Sequence, residues 1–345
     1  MLAESNIGRI PARQLAAAAR RAESLGFHRV SHSEVTQDSF LSSAVSSQAT
    51  TTIGVATSVA IAFPRSPMVT AYAARQLQDL SGGRFVLGLG TQVRGHIERR
   101  FSAEFDSPGP RFREYVDSLA AIFRSWRSGE PLSYKGKFYN FSLMTPEFSP
   151  GSGEFPDPPV QISAVNKYNL TLAGERCAGL RLHPLMTAAY VRDKAMADVR
   201  RGLAKEGRAR SGFEVVGGGF IAAGTTQEQV SAGWEAARKR VGWYASTKAY
   251  RPILEHHGWE DLADEARRLS FAQRWPDLEM LVDDSVLGEF CVAGSFAEVA
   301  AQLRARWSGV ADTVSVPADV WSAADDDETA AFVSSLSAPD ENSRD

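Results

Sequence analysis

Short apolar runs alternate along the chain with longer segments in which apolar side chains recur at helical spacing. Residues 85–89, Phe-Val-Leu-Gly-Leu, are too short for a helix and are bounded by glycines, so they predict a buried strand. Residues 111–126 carry an apolar side chain at every third or fourth position, which is typical of an amphipathic helix. The repeated alternation of the two patterns predicts a parallel sheet with helical crossovers.

The same patterns predict eight strands separated by helices. The predicted strands are residues 1–5, 27–31, 52–62, 85–89, 160–164, 179–182, 214–223 and 311–316. The predicted helices are residues 11–25, 38–48, 68–80, 111–126, 170–178, 188–205, 226–244, 295–307 and 320–336, with further helical segments in 249–285. Thr225 or Thr226 and Ser295 are expected to cap two of them.

Eight strands that alternate with helices favour a closed (β/α)8 TIM barrel, although the pattern alone leaves an open doubly wound sheet as the alternative. No Gly-x-Gly-x-x-Gly follows the first predicted strand, which disfavours a nicotinamide-binding Rossmann domain. Two segments interrupt the rhythm: residues 129–159, with a predicted hairpin at 134–141 and a proline-rich stretch, and residues 244–290. We therefore expect one barrel over residues 1–320 with two insertions, followed by a closing helix and flexible tail over 321–345.

The composition excludes several classes of partner. The formal net charge is −3 and the basic residues are spread along the helices, so we expect neither a nucleic-acid nor a membrane partner. No apolar run approaches the ~18 residues of a membrane span, which indicates a cytoplasmic protein. Cys177 and Cys291 do not form a Cys-x-x-Cys motif, and His256-His257 lacks acidic partners at ligand spacing, so no metal site is expected.

Polar side chains follow the predicted strands where each strand ends. Because the carboxyl ends of barrel strands meet at one mouth, these side chains are expected to converge on a shared pocket. The residues are His32, Ser33, Glu34, Ser58, Thr91, Gln92, Ser163, Asn166 and His183. Gly88 and Gly90 lack a Cβ and would allow a flat ring to approach, unless they only relieve crowding in a packed strand.

Residues 80–91, Leu-Ser-Gly-Gly-Arg-Phe-Val-Leu-Gly-Leu-Gly-Thr, resemble the fourth-strand signature of the luciferase-like monooxygenase superfamily. Its flavin and deazaflavin enzymes share a TIM barrel. The continuation over residues 91–101 is similar to a subgroup that uses the deazaflavin coenzyme F-420. Residues 62–68, 136–139, 158–164 and 290–294 support the resemblance, which covers about residues 11–316.

The resemblance implies a set of cofactor-binding residues. The third strand would carry a bulge with a non-proline cis peptide at Ser58-Val59, which supports one face of the ring. The turn of Thr91, Gln92 and Val93 would contact the ring edge. The turn of Ser163, Ala164, Val165 and Asn166 would hold the phosphate, the alternative being an ordinary helix cap. Ser33 and His183, which follow the second and sixth predicted strands, are added as cofactor-binding residues because their strand ends would face the same mouth. Val93 replaces an acidic proton donor of some relatives, and Asn166 stands where glycine is commoner.

Hydride transfer also requires a group that handles a proton, and Glu34 is the first candidate, followed by His32 and His96. A carboxylate shielded by aromatic surface would have a raised pKa and could exchange a proton near neutrality. The alternative for Glu34 is an ion pair with an arginine such as Arg94. The alternative for His96 is a loop residue that fixes Glu98.

The resemblance therefore implies an oxidoreductase that moves hydride between coenzyme F-420 and a small organic substrate. The first alternative is an FMN-dependent two-component monooxygenase, and the second is a non-catalytic (deaza)flavin-binding protein. A homodimer and a separate reductase that regenerates the cofactor are the expected protein partners. The substrate is not specified by any motif in the two insertions.

Overall fold

A computed structural model describes residues 1–322 and 324–338 of the 345-residue chain. In chain order the strands are β1 (Leu2–Asn6), β2 (Arg29–His32), β3 (Gly54–Thr57), β4 (Ala60–Ile61), β5 (Phe85–Gly90), β6 (Tyr134–Lys135), β7 (Asn140–Phe141), β8 (Val160–Ser163), β9 (Gly179–Arg181), β10 (Glu214–Gly217), β11 (Phe220–Ala223), β12 (Cys291–Gly294) and β13 (Thr313–Pro317). All eight predicted strand positions therefore contain a strand.

The helices surround these strands. They are α1 (Leu15–Ser24), α2 (Ser39–Ala49), α3 (Pro67–Leu80), α4 (Arg94–Arg99), α5 (Pro108–Ser128), α6 (Lys167–Arg176), α7 (Ala188–Tyr190), α8 (Met196–Lys205), α9 (Gln227–Ala245), α10 (Arg251–His256), α11 (Glu260–Phe271), α12 (Asp277–Met280), α13 (Asp284–Phe290), α14 (Phe296–Trp307), α15 (Ala318–Trp321) and α16 (Asp326–Ser337). A π-helical turn at Val191–Ala195 joins α7 to α8. None of the described helices is long and apolar enough to cross a membrane.

The main sheet is a closed ring of parallel strands. Its order is β3-β2-β1-β13-β10-β9-β8-β5-β4, and an additional pairing between β3 and β5 closes it. β3 and β4 are the two halves of one bulged strand, so the ring has eight members. The first strand pairs on both sides, with β2 and β13. The predicted TIM barrel is confirmed, and the open-sheet alternative is wrong.

Helix caps explain where several elements begin. The side chains of Thr226 and Ser295 each accept from the backbone N–H three residues on, within a complete capping box, so both predicted caps are confirmed. α6 begins three residues earlier than predicted because Asn166 caps it. The predicted hairpin at 134–141 is the antiparallel pair β6–β7.

The predicted seventh strand, residues 214–223, is wrong as a single element. The chain leaves the barrel at Gly218 and Gly219, whose φ angles of 156° and 93° are readily adopted only by glycine. β11 then pairs with β12 in a separate two-stranded sheet, and β12 was not predicted. The predicted closing helix, 320–336, is likewise two helices, α15 and α16, while the predicted tail from residue 339 onward lies outside the described residues.

The barrel interior contains a buried network of charged side chains. Arg181 forms a bidentate pair with Glu4, at 2.8 and 3.0 Å, and Arg29 donates to the same carboxylate at 3.3 Å. Arg29 also donates to both carboxylate oxygens of Glu214, at 2.9 and 3.1 Å. Two arginines thus balance two carboxylates across strands that are far apart in sequence.

Candidate active site at the barrel mouth

The third strand is interrupted where the resemblance placed a non-proline cis peptide, and Ser58-Val59 is cis as predicted. Gly90 lies against this bulge, because a Cβ built on it would stand 2.7 Å from Cγ2 of Val59 and 3.9 Å from Cβ of Ser163. We call Val59, Gly90 and Ser163 the glycine patch. The structure therefore brings together predicted cofactor residues from three different strands.

Ser33 is also at the mouth, and it is paired with a residue that the sequence analysis missed. The Asn6 amide donates to the Ser33 hydroxyl at 2.9 Å, and the hydroxyl donates back to Oδ1 of Asn6 at 3.1 Å. The Asn6 Oδ1 also accepts from the backbone N–H of Gly8 at 3.2 Å. The sequence feature that could have identified Asn6 as a site residue is its polar side chain at the end of the first strand. Both side chains are half-buried and form a polar edge of the mouth.

Glu34 is held in an ion pair with Arg65, not with Arg94. Its Oε2 accepts from the Ile61 backbone N–H at 2.7 Å and from Arg65 at 2.9 Å, and its Oε1 accepts from Arg65 at 2.5 Å. Arg65 also donates to Asp38 at 2.6 Å. We call Glu34, Arg65 and Ile61 the clamp. Because Ile61 is two residues beyond Val59, the clamp anchors the strand half that follows the cis peptide.

His32 does not reach the mouth. Its side chain is fully buried between β2 and α2, where its Nε2 lies 3.0 Å from the Ser46 hydroxyl. Burial lowers the pKa of His32 to about 3, so the imidazole is neutral. Side chains alternate along a strand, and the network residue Arg29 and Ser33 occupy the inward positions of β2 and its extension. The predicted catalytic role of His32 therefore has no geometric support.

His96 lies on α4, half-buried, and its side chain has no hydrogen bond or ion pair within residues 1–322 and 324–338. Glu98, the residue it was expected to fix, pairs instead with Arg94 at 2.5 Å. Thr91 and Gln92 bond locally: the Thr91 hydroxyl donates to the Gln92 carbonyl, and the Gln92 side chain accepts from the Val93 N–H. Thr91 and Val93 are half-buried, and Gln92 is exposed.

The turn predicted to hold a phosphate begins a helix. The Asn166 side chain accepts from the Asn169 N–H at 3.0 Å, as an ordinary helix cap does. The backbone N–H groups of the first helical turn lack acceptors within the helix and can bind an anion. Ser163 and Val165 are half-buried, Ala164 is buried, and Asn166 is exposed. A cap and an anion site are therefore compatible here.

His183, at the end of β9, stands in an aromatic cluster. Its ring stacks on Tyr250 at a centroid distance of 4.4 Å and meets Tyr244 edge-on at 4.6 Å. Burial lowers the pKa of His183 to about 3. Tyr244 and Tyr250 come from the second predicted insertion and were missed, because nothing in their local sequence indicates that they face β9.

Two surface cavities, of about 420 and 270 Å³, lie away from this mouth. The larger is lined by residues such as Arg127, Asp157 and Arg208, which are engaged in ion pairs or in hydrogen bonds to backbone carbonyls. Within the described ranges no group of three or more His, Cys, Asp or Glu side chains is placed to hold a metal ion. The barrel mouth brings together the Asn6–Ser33 pair, the glycine patch and the aromatic cluster around His183.

The chain is similar to known proteins over most of its length. The family model of luciferase-like monooxygenases matches residues 2–313. An uncharacterised protein of Mycobacterium tuberculosis is 40% identical over 310 residues, covering 89% of this chain and 91% of that one. A putative coenzyme F-420-dependent oxidoreductase of the same organism is 26% identical over 313 residues, covering 86% and 87%.

Among solved structures, the coenzyme F-420-dependent tetrahydromethanopterin reductase of Methanopyrus kandleri superposes with a TM-score of 0.77 over 96% of each chain. Its sequence is 16% identical, so this likeness concerns the fold.

Proposed function

The chain belongs to the luciferase-like monooxygenase family, and we propose that it is an oxidoreductase that transfers hydride between coenzyme F-420 and a small organic substrate. The observation that carries the proposal is the glycine patch, where the absence of a Cβ on Gly90 lets Val59 of the cis peptide pack beside Ser163 at the ends of three strands. The similarity to a putative F-420-dependent oxidoreductase over 86% of the chain supports the choice of cofactor.

The residues at the mouth fit a deazaflavin. Val59 and Gly90 would form the apolar face under the ring, and the hydroxyls of Ser33 and Ser163 would meet its polar edges. The first turn of α6 would receive the anionic tail. When bound, the deazaflavin supplies a carbon that accepts or releases hydride and reacts poorly with dioxygen.

The chain's own residues would orient the reactants and handle one proton. In this proposal the clamp fixes the position of Val59 relative to the bound ring. Both carboxylate oxygens of Glu34 are already hydrogen-bonded, so Glu34 is a positioning residue. His96 keeps a side chain without hydrogen bonds within the described ranges, on the helix that follows the fourth strand. We therefore propose that His96 exchanges the proton, because an imidazole can both accept and donate one.

A parallel binding titration with coenzyme F-420 and FMN tests the cofactor. We expect coenzyme F-420 to bind at least about tenfold more tightly than FMN, which corresponds to roughly 1.4 kcal/mol. Tight FMN binding accompanied by oxygen uptake would instead establish the two-component monooxygenase. Binding of coenzyme F-420 with no turnover over a broad substrate panel would favour the non-catalytic binding protein.

The Gly90→Ala variant locates the cofactor. Its Cβ would displace Val59, so we expect coenzyme F-420 affinity to fall by about tenfold or more, measured by the same titration. Gly288→Ala is the matched control, because a Cβ there meets no atom within 4 Å. Equal affinities in the two variants would contradict a binding face at the glycine patch.

Glu34→Gln tests the clamp. The amide keeps the shape but loses the charge that holds Arg65, so we expect weaker coenzyme F-420 binding and a loss of about 1–2 kcal/mol in stability. Asp38→Asn is the control, since Asp38 contacts Arg65 but has no bond to Ile61. The two variants should differ in cofactor affinity. If Glu34→Gln binds the cofactor normally and loses only turnover, Glu34 is the proton-handling residue instead.

A further inference from the structure

His183 has one ring nitrogen engaged and one available. Its Nδ1 accepts from the Leu185 backbone N–H at 3.1 Å. In a neutral imidazole the nitrogen that accepts carries no proton, so the proton is on Nε2. The Nε2 atom has no hydrogen-bond partner among residues 1–322 and 324–338, and it is not among the buried polar atoms that lack one. His183 therefore presents an unused N–H donor.

His183 lies on the side of the sheet that faces the inside of the barrel. Arg181, two residues earlier, lies over Gly88, because a Cβ built on Gly88 would stand 2.9 Å from its Cδ. Gly88 is two residues before Gly90, so Arg181 and the glycine patch share the interior face, and Ser163 is the register partner of Arg181. Because alternate residues point the same way, His183 continues that face one layer closer to the mouth.

The two tyrosines fix the direction of the imidazole. Tyr250 stacks on one face of the ring and Tyr244 approaches it edge-on, while the bond to Leu185 sets the ring's rotation. Both tyrosines come from the second insertion, near residues 244–250, and not from the strands that form the glycine patch. The donor therefore stands between the barrel and the wall that the insertion builds.

We infer that His183 is the residue that recognises the substrate, by donating a hydrogen bond from Nε2 to a carbonyl or hydroxyl oxygen on the carbon that exchanges hydride. This inference rests on the proposed function and assigns the substrate to oxygen-bearing compounds, ketones and secondary alcohols, that fit an aromatic wall. In the reduction, a C–H bond of the reduced deazaflavin would break and its electron pair would form a C–H bond to the carbonyl carbon. The carbon–oxygen π pair would move to oxygen, and the oxygen would take the proton that His96 is proposed to exchange.

The N–H donor stabilises the negative charge that grows on that oxygen. Because the imidazole is neutral and keeps its own proton, it polarises the oxygen and does not supply the proton. The sequence analysis placed His183 among the cofactor-binding residues, and its contacts with Tyr244 and Tyr250 assign it to the substrate instead.

Paired probes test this assignment without turnover. Cyclohexanone and methylenecyclohexane, and 2-pentanone and 2-methyl-1-pentene, differ mainly in the oxygen. Their dissociation constants are measured by ligand-observed NMR on wild type, His183→Phe, His183→Gln and the control Gly288→Ala, each saturated with coenzyme F-420. We expect the preference for the ketone over its hydrocarbon partner to fall about fivefold to tenfold in His183→Phe.

The other two variants separate the donor from general effects of substitution. Glutamine places an amide N–H near the position of Nε2, so His183→Gln should recover part of the preference. Gly288→Ala, whose added Cβ meets no atom within 4 Å, should leave the preference unchanged. Nitrogen-15 NMR of the wild type should show the His183 proton on Nε2. Circular dichroism verifies that each variant is folded.

Three results would overturn the inference: an equal ketone preference in wild type and His183→Phe, an Nδ1-protonated His183, or no measurable ketone binding to the wild type. If His183→Phe loses affinity for coenzyme F-420 but keeps the ketone preference, His183 binds the cofactor and not the substrate. Failure of the wild type to bind coenzyme F-420 would overturn the proposed function itself, so the two failures are distinguishable.

Discussion

The Glu4→Gln variant is expected to lose about 3–5 kcal/mol of unfolding free energy, because removing one partner of a buried ion pair leaves the other charge uncompensated. The Glu4 side chain is fully buried, and Arg29 and Arg181 are almost fully buried beside it. Glutamine can accept from one arginine, but it cannot balance either charge. Urea unfolding, followed by circular dichroism, measures the loss.

An exposed ion pair provides the control. Glu98→Gln breaks the Arg94–Glu98 pair on α4, whose side chains are 62% and 41% exposed, and should cost no more than about 0.5 kcal/mol. The double variant Glu4→Gln, Arg181→Met should recover part of the loss, since it also removes the one positive charge that Glu4→Gln leaves unbalanced. A Glu4→Gln protein as stable as the wild type would show that the network does not support the barrel.

The same network sets a pH dependence. Burial raises the pKa of Glu4, but Arg181 and Arg29 outweigh it and hold that pKa below its usual range, and the pKa of Glu214 is lowered to about 2 in the same way. A carboxyl with a depressed folded-state pKa contributes stability above its unfolded pKa and loses it as the pH falls. Wild-type stability should therefore fall from about pH 4.5 toward pH 2, and less steeply in Glu4→Gln.

Gly88→Ala should cost about 3 kcal/mol or prevent folding, because overpacking at a rigid site is strongly destabilising. A Cβ on Gly88 would lie 2.0 Å from the Thr57 carbonyl oxygen, which is backbone and cannot rotate away. The Thr57 hydroxyl also bonds to both the Gly88 N–H and its carbonyl, at 2.9 and 2.7 Å. The methyl group would therefore separate β3 from β5 where their pairing closes the barrel.

Thermal unfolding of the Gly88→Ala and Gly288→Ala variants should show changes in stability of opposite sign. Gly288 lies within α13 with no atom near the position of a Cβ, so alanine there should raise stability by about 0.5–1 kcal/mol through its helix propensity. A Gly88→Ala protein with wild-type stability would mean that β3 can move away from β5 at little cost.

Much of the barrel follows from local pattern. A strand such as Phe85–Gly90 can be predicted because its apolar run and flanking glycines are neighbours in the sequence. The caps Thr226 and Ser295 can be predicted because each hydrogen-bonds to a residue three positions away. The resemblance carried one feature that no local pattern encodes, the cis peptide at Ser58-Val59.

The tertiary structure decided which of the polar strand-end residues share a pocket. His32 and Ser33 are adjacent in sequence, yet one packs against α2 and the other reaches the mouth, since neighbouring strand positions face opposite ways and a shift of one residue exchanges them. The partner of Glu34 was unpredictable for a different reason. Arg65 and Arg94 carry the same charge and both lie far from Glu34 in the sequence, and only the bend of the third strand brings Arg65 within reach.

The sequence by itself therefore determined the number of barrel strands, their approximate positions and the family, because these depend on short-range periodicity and on recognisable segments. Only the tertiary structure decided the clamp, the buried Glu4 network and the contact of His183 with Tyr244 and Tyr250. Each of these joins side chains from elements distant in the chain, and their distances depend on how the ring of strands closes and on where the insertions fold back.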